Sequence, residues 1–304
     1  MKAESHAASL QPSVHLARVC WTAIRPRTLS IAITPVLLGT ALAWAQGSTR
    51  HWTTLLVTLA CALLIQIGTN LHNDVIDFER GTDRPDRAGP LRVTAAGWAS
   101  VSTMHRATQL SYGLAVLLGA YLVAQGGWPI LLAGLTSLLA GWAYSGGKHP
   151  VSHSALGELV VLVFFGWVAV TGSHWLQSGI WSLDAWLCGT VVGLPAAAVL
   201  LVNNYRDLDT DLRSGRRTLA ARLGRTRAGR AYAIMMLLPF GLLLLLAWRG
   251  HPGALLGLLA LPLGTQLTRR LHPDAPASAL NTLLAATAKM GLILGALLSI
   301  GVFL

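Results

Sequence analysis

The chain has 304 residues, of which 53% are hydrophobic and only 12% charged, and its mean hydropathy is +0.55. A water-solvated globular protein carries roughly 25% charged residues, so this composition excludes an ordinary soluble domain and makes a lipid bilayer the expected solvent. The formal net charge of +11, from 23 Lys and Arg against 12 Asp and Glu, would suggest nucleic acid in a soluble protein; here no nucleic-acid partner is expected, because the basic residues follow the positive-inside pattern of membrane loops.

A membrane-spanning helix needs about 20 mostly apolar residues. Nine such runs are predicted, at 28–46, 52–73, 103–124, 128–145, 156–176, 183–204, 231–248, 251–268 and 280–303, with Pro262 interrupting the eighth. The expected fold is therefore an all-α integral membrane bundle of nine transmembrane helices, one membrane domain over 1–304. A tail at 1–24 precedes it, and loops at about 74–102 and 205–230 are elaborated. With a cytoplasmic N-terminus, one face carries four basic residues before the first span, five after the second and one after the fourth. Eight more follow the sixth span and two the eighth, whereas the other face holds only Arg50 and Arg249. That asymmetry predicts an N-in, C-out topology. The first twenty residues contain no apolar core with a small-residue cleavage site, so no signal peptide is expected. Cys20, Cys61 and Cys188 lie far apart, with neither a disulfide pattern nor a zinc spacing.

The acids are as uneven as the bases. Eight of the twelve fall in two stretches: Asp74, Asp77, Glu79, Asp83 and Asp86 after the second span, and Asp207, Asp209 and Asp211 after the sixth. If each helix continues, Asn70, Asn73, Asp74 and Asp77 share a face, as do Asp207 and Asp211 with Asn203 and Asn204 one turn below, because residues three and four apart are neighbours. The Asn73–Asp77 and Asn203–Asp207 spacings match, which makes the two segments a weak pseudo-repeat. Gathered carboxylates repel one another, and a divalent cation reverses that local electrostatics. Carboxylate and amide oxygens suit Mg²⁺, which typically uses one or two carboxylates, waters and substrate phosphates.

The motifs Asn73-Asp74-Xaa2-Asp77 and Asn204-Xaa-Arg206-Asp207-Xaa3-Asp211 resemble those of the UbiA superfamily of intramembrane prenyltransferases. Asp83-Arg-Pro-Asp86, Tyr144-Ser-Gly146-Gly147 with Gly157-Glu158, and Gly215-Arg216-Arg217-Thr218 resemble the branch that prenylates 1,4-dihydroxy-2-naphthoate in menaquinone synthesis. The resemblance implies a multi-pass enzyme of the prokaryotic cytoplasmic membrane, its active site facing the cytoplasm. It would move a polyprenyl chain from polyprenyl diphosphate to the naphthoate, with loss of CO₂ and diphosphate, using Mg²⁺. On that basis Asp74, Asp77, Asp207 and Asp211 are assigned to Mg²⁺, with Asp83 as a fifth participant. Asn70, Asn73, Asn203 and Asn204 add oxygen ligands or orient the carboxylates. Arg92, Arg206 and Arg216 are candidates for diphosphate contacts, and Tyr144 for steadying an allylic cation through its ring. Lys289, within the last span, and Lys148, after the fourth, are candidates for the acceptor's carboxylate, with Glu158 as a partner for either. Another acceptor such as 4-hydroxybenzoate remains open. An ion-coupled transporter is the reading from another class, and it predicts ionisable residues near the bilayer midplane.

Overall fold

The computed structural model describes residues 15–82, 89 and 91–304. Among the described residues there are twelve α-helices and no β-strand. In chain order they are α1 (Leu16–Ile24), α2 (Pro26–Ala45), α3 (Trp52–Glu79), α4 (Val101–Gly126), α5 (Trp128–Ser145), α6 (Gly157–Val161) and α7 (Ala169–Ser178). Then follow α8 (Leu183–Arg206), α9 (Leu208–Arg213), α10 (Leu219–Trp248), α11 (Leu261–Thr268) and α12 (Ala277–Gly301). A helix stands at each of the nine predicted positions. Seven helical stretches among the described residues are long and apolar enough to cross a bilayer: Thr28–Ala45, Trp52–Glu79, Val101–Gly126, Gly157–Ser178, Leu183–Arg206, Leu219–Trp248 and Ala277–Gly301. Trp128–Ser145, diluted by tryptophans and hydroxyl residues, is not among them. Pro252–Thr268 is shorter, running as a 3₁₀ helix to Ala260 before α11 begins. The chain is thus a multi-pass membrane protein, because backbone groups in lipid must be satisfied within helices or closed barrels.

Three details depart from the sequence pattern. The tail expected at 1–24 holds α1, whose Leu16 and Trp21 are exposed. The helix expected to start at 231 starts at Leu219, where Thr218 caps the amide of Ala221, and it kinks at Gly224 (φ 71°). The fifth span is a rod whose middle, Leu162–Val168, is a π-helix joining α6 to α7.

Helix α8 lies at the centre and is buried on nearly every face. It packs against α10, α12 and the π segment. Gly166 on the rod meets Gly189 and Gly193 on α8 so closely that a Cβ at 189 would lie 2.8 Å from the Gly166 carbonyl oxygen. Small residues allow this approach, which membrane helices use in place of a hydrophobic driving force. On the other side α3 packs against α4 and α5. Between the two groups of helices lies a cavity of about 1180 Å³.

Candidate active site

The end of α3 carries the first acidic segment, and the structure splits its polar face in two. Asp74 is 2% exposed and turns into the loop that follows. Its Oδ1 accepts from the Thr94 amide (3.0 Å) and hydroxyl (2.6 Å), and its Oδ2 from the Val93 amide (3.1 Å). Asp77, one turn on, lines the cavity. Its Oδ2 accepts from Arg92 Nη2 (2.8 Å) and Asn73 Nδ2 (3.2 Å), and its Oδ1 from Arg216 Nη2 (3.3 Å). Asn73 is the hub between them: Oδ1 accepts from Arg92 Nη1 (2.6 Å) and Arg25 Nη1 (3.3 Å), and Nδ2 also donates to Ser145 Oγ (2.8 Å). Arg92 is 8% exposed, so its charge is buried, paired and hydrogen-bonded as such a charge must be.

Arg25 was absent from the sequence candidates. It sits at the break between α1 and α2 and is the one non-glycine residue among those described with positive φ (53°). A left-handed residue with a Cβ costs roughly 1–2 kcal/mol, and such strain persists only where the surroundings over-determine it. Asn70 supplies that constraint: its Nδ2 donates to the Ile24 carbonyl (3.0 Å) and to Thr28 Oγ1 (3.2 Å), while Gln66 occupies its Oδ1 (3.3 Å). Asn70 lines the cavity, and its amide is spent on holding this break.

The second acidic segment is built from its own neighbours. Helix α8 ends at Arg206, and Asp207 is the junction with α9. Arg206 grips Asp207 with Nε on Oδ1 (2.8 Å) and Nη2 on Oδ2 (2.6 Å), and reaches Asn203 Oδ1 (2.9 Å) and Asn281 Oδ1 of α12 (2.8 Å). The Asp211 amide donates back to the Asp207 carbonyl (2.8 Å), so both carboxylates end up on the cavity wall. Beyond α9 the chain reverses at Gly215 (φ 79°), a conformation that glycine adopts without steric cost. That turn brings Arg216 to Asp77 (3.3 Å) and Asp211 (3.7 Å), joining the two segments. Asp209 points away; it is exposed and paired with Arg225 (2.8 Å).

The cavity lining therefore unites Asp77, Asp207 and Asp211 with Asn70, Asn73, Asn203, Asn204, Arg92, Arg206, Arg216 and Tyr144. Lys148 is exposed on the loop after α5 and does not line the cavity. Lys289 is exposed on the outer face of α12 and does not line it either. Glu158 pairs with neither lysine; its Oε1 accepts from Asn204 Nδ2 (2.9 Å). Asp83 lies outside the described residues. Below the polar end the lining is mainly apolar, and on α3 it runs from Asp77 down to Thr58, about 28 Å of helix and close to the thickness of a bilayer core.

The loop between α5 and α6 contributes Ser152 to the cavity lining. Arg80 holds its start through the carbonyls of Ser145 (2.6 Å) and Gly147 (2.5 Å), and the His153 carbonyl accepts from the Arg217 amide (2.9 Å). Burial, and then the nearby charge of Arg216, push the His153 imidazole down to about 4. It is neutral at physiological pH and adds no charge between the two segments.

No three Asp, Glu, His or Cys side chains converge as a ready-made metal cage among the described residues. The cavity wall offers instead three carboxylates and amide oxygens at its polar end; among the described residues no imidazole lines it, and the thiol that does, Cys61, stands more than four turns below Asp77 on α3. That donor set fits Mg²⁺, a hard cation that usually takes one or two carboxylates and completes its shell with water and substrate phosphates. Asp77, Asp207 and Asp211 are the residues that would hold it.

Residues 32–297 match the model of the UbiA prenyltransferase family. The 1,4-dihydroxy-2-naphthoate octaprenyltransferase of Escherichia coli (strain K12) is 37% identical, over 92% of this chain and 94% of its own length. The protein of the same name from Bacillus subtilis (strain 168) is 30% identical, over 95% of this chain and 93% of its own. Among solved structures, a UbiA homolog from Archaeoglobus fulgidus bound to GPP and Mg²⁺ has the same fold. It superposes with a TM-score of 0.65 at 14% identity, covering 91% of this chain and 99% of that one.

Proposed function

The chain belongs to the UbiA prenyltransferase family, and from that premise we propose that it transfers a polyprenyl chain from polyprenyl diphosphate to 1,4-dihydroxy-2-naphthoate, in the synthesis of menaquinone. One observation carries the reading: a single cavity has three carboxylates and four arginines at one end and a mainly apolar wall through the rest of its depth. The diphosphate belongs at the charged end and the isoprenoid tail along the apolar wall. The identity of more than a third of residues to a naphthoate octaprenyltransferase, over nearly the full length of both chains, supports the choice of acceptor.

The reaction breaks the allylic C–O bond, and its electron pair leaves with the diphosphate. The allylic carbon then bonds to the naphthoate ring, and the departing CO₂ leaves its electron pair in that ring, on the way to demethylmenaquinone. Asp77, Asp207 and Asp211 would hold Mg²⁺, which would supply Lewis-acid stabilisation of the leaving diphosphate. Arg92, Arg206 and Arg216 orient those carboxylates and present N–H groups to the phosphate oxygens. Tyr144 borders the same cavity, where its ring steadies positive charge on the allylic carbon. Apolar walls exclude water that would quench that charge. Asp74 serves by fixing the loop at 93–94, which carries its neighbour Arg92 to the site. The acceptor's carboxylate falls to arginines of the cavity, Arg25 among them, rather than to Lys148 or Lys289.

The same reading has the bundle, a single membrane domain, cross the bilayer nine times, with Trp128–Ser145 and Pro252–Thr268 as the two crossings of lower apolarity and the N-terminus in the cytoplasm. The polar end then faces the cytoplasm from the prokaryotic inner membrane, on the side that carries most of the basic residues. Purified protein supplied with one polyprenyl diphosphate and either 1,4-dihydroxy-2-naphthoate or 4-hydroxybenzoate tests the acceptor. Prenylated naphthoate is expected with Mg²⁺ and none with EDTA. Turnover of 4-hydroxybenzoate alone overturns the acceptor, and activity that survives chelation overturns the metal.

A further inference from the structure

Glu158 is a buried acid to which the proposed chemistry gives no task. It is 2% exposed and opens the rod that runs through α6 to α7. No Lys, Arg or His among the described residues pairs with it, and its Oε2 is buried without a hydrogen-bond partner. A buried carboxyl with an unsatisfied oxygen is costly to keep. Its position is nevertheless closely built: the adjacent Gly157 lets the rod approach α8, where a Cβ at 157 would sit 3.1 Å from Leu200 Cδ2.

Among the described residues the one side chain that bonds Glu158 is Asn204, three residues before Asp207 and on the same side of the helix. A side-chain amide has two donors on nitrogen and its acceptors on oxygen, so engaging Nδ2 with a carboxyl oxygen aims Oδ1 the other way. Asn204 lines the cavity. The other three asparagines of the acidic segments have their Oδ1 committed: Asn70 to Gln66, Asn73 to Arg25 and Arg92, and Asn203 to Arg206. Only the Oδ1 of Asn204 accepts no hydrogen bond from the described residues.

We propose that Glu158 is a positioning residue: it fixes the amide of Asn204 so that its carbonyl oxygen faces the cavity as a ligand for the cation–diphosphate group. The inference rests on the Mg²⁺ reading of the site given above. It gives the two asparagines of α8 different tasks: Asn203 steadies Arg206, and Asn204 offers an oxygen to the cation. It also accounts for a buried acid that no charge compensates.

The test is Mg²⁺ titration of the thermal stability of the full-length protein in detergent, with a non-hydrolysable geranylgeranyl thiolodiphosphate present. Glu158→Met and Asn204→Ala are each expected to raise the Mg²⁺ midpoint about 10–100-fold, the usual cost of losing a group that orients a metal ligand. Glu158→Gln, which keeps an acceptor for Asn204 Nδ2, is expected to restore it to within a few-fold. The double variant Glu158→Met/Asn204→Ala should be no worse than either single one. A wild-type midpoint in Glu158→Met, or losses that add in the double variant, overturns the proposal. A wild-type midpoint in Asn204→Ala overturns it as well. Failure of the wild-type protein to gain any Mg²⁺-dependent stability overturns the site reading itself, and the positioning role with it.

Discussion

The two acidic segments look alike in sequence and are built by opposite means. At the end of α3, Asn73, Asp74 and Asp77 are satisfied by residues from elsewhere: Arg25, Arg92, Thr94, Ser145 and Arg216. At the end of α8, Arg206 grips the next residue, Asp207, and Asn203 three residues back, with Asn281 and Glu158 as the distant contacts. The first segment thereby organises the fold around it and presents one acid, Asp77, to the cavity. The second presents two. Equal spacing places side chains on a helix face; it does not decide which of them remain available to a ligand.

Substitution at Asp77 and Asp74 is the sharpest way to break this contrast. Asp77→Asn is expected to lower kcat/KM by about 10²–10³-fold, the scale of removing one preorganised charge-stabilising group, and to lower thermal stability as well, because the buried charge of Arg92 loses its carboxylate. Asp74→Ala strands the Val93 amide and the Thr94 amide and hydroxyl, each worth about 1–3 kcal/mol when buried without a partner. Its main effect is expected on melting temperature and yield, with the Mg²⁺ dependence of the surviving activity unchanged. A stable Asp74→Ala protein with a raised Mg²⁺ requirement would erase the distinction. Next in size, Arg206→Lys replaces a two-point grip on Asp207 with a single point, for an expected loss of about 10–100-fold in kcat/KM, measured by steady-state assay. Smaller again, Ser145→Ala removes one neutral partner of Asn73, worth about 1 kcal/mol, and is expected to cost roughly fivefold in the same assay.

The smallest effect is a pH dependence at the seam between the segments. With its folded pKa pushed down to about 4, against about 6.5 for an unperturbed histidine, His153 takes up a proton more readily in the unfolded chain. Its penalty is absent above about pH 6.5 and grows as pH falls toward 4. Melting curves at pH 7.5 and pH 5 should therefore differ by less in His153→Gln than in wild type, and an equal difference would remove His153 from the account.

Much of this was legible in the sequence. Apolar runs located the seven helical stretches long and apolar enough to cross a bilayer, because lipid leaves a spanning chain little alternative to helix. The Asn/Asp spacing located the polar end of the cavity. Helix α1 escaped because nine residues with one apolar side carry too little signal beside a membrane span. The π segment at 162–168 escaped because its residues read as an ordinary apolar run. Thr94, Ser145 and Asn281 were invisible because nothing local marks a hydroxyl or amide as the partner of an acid dozens of residues away. Lys289 taught the same lesson in reverse: hydropathy gives depth in the membrane, whereas the direction a side chain faces depends on packing.

The π-helix has a consequence of phase. An α-helix advances about 100° per residue, and a wider turn inserted at 162–168 resets that count midway along the rod. The two halves can then answer to different neighbours. Glu158 meets Asn204 of α8, while at the far end His174 meets Gln46 (2.8 Å) and Gln177 meets Trp44 (2.8 Å), beside and within α2. Removing one residue from this stretch would turn one set of partners away from the other by about 100°, more than a quarter of a circle.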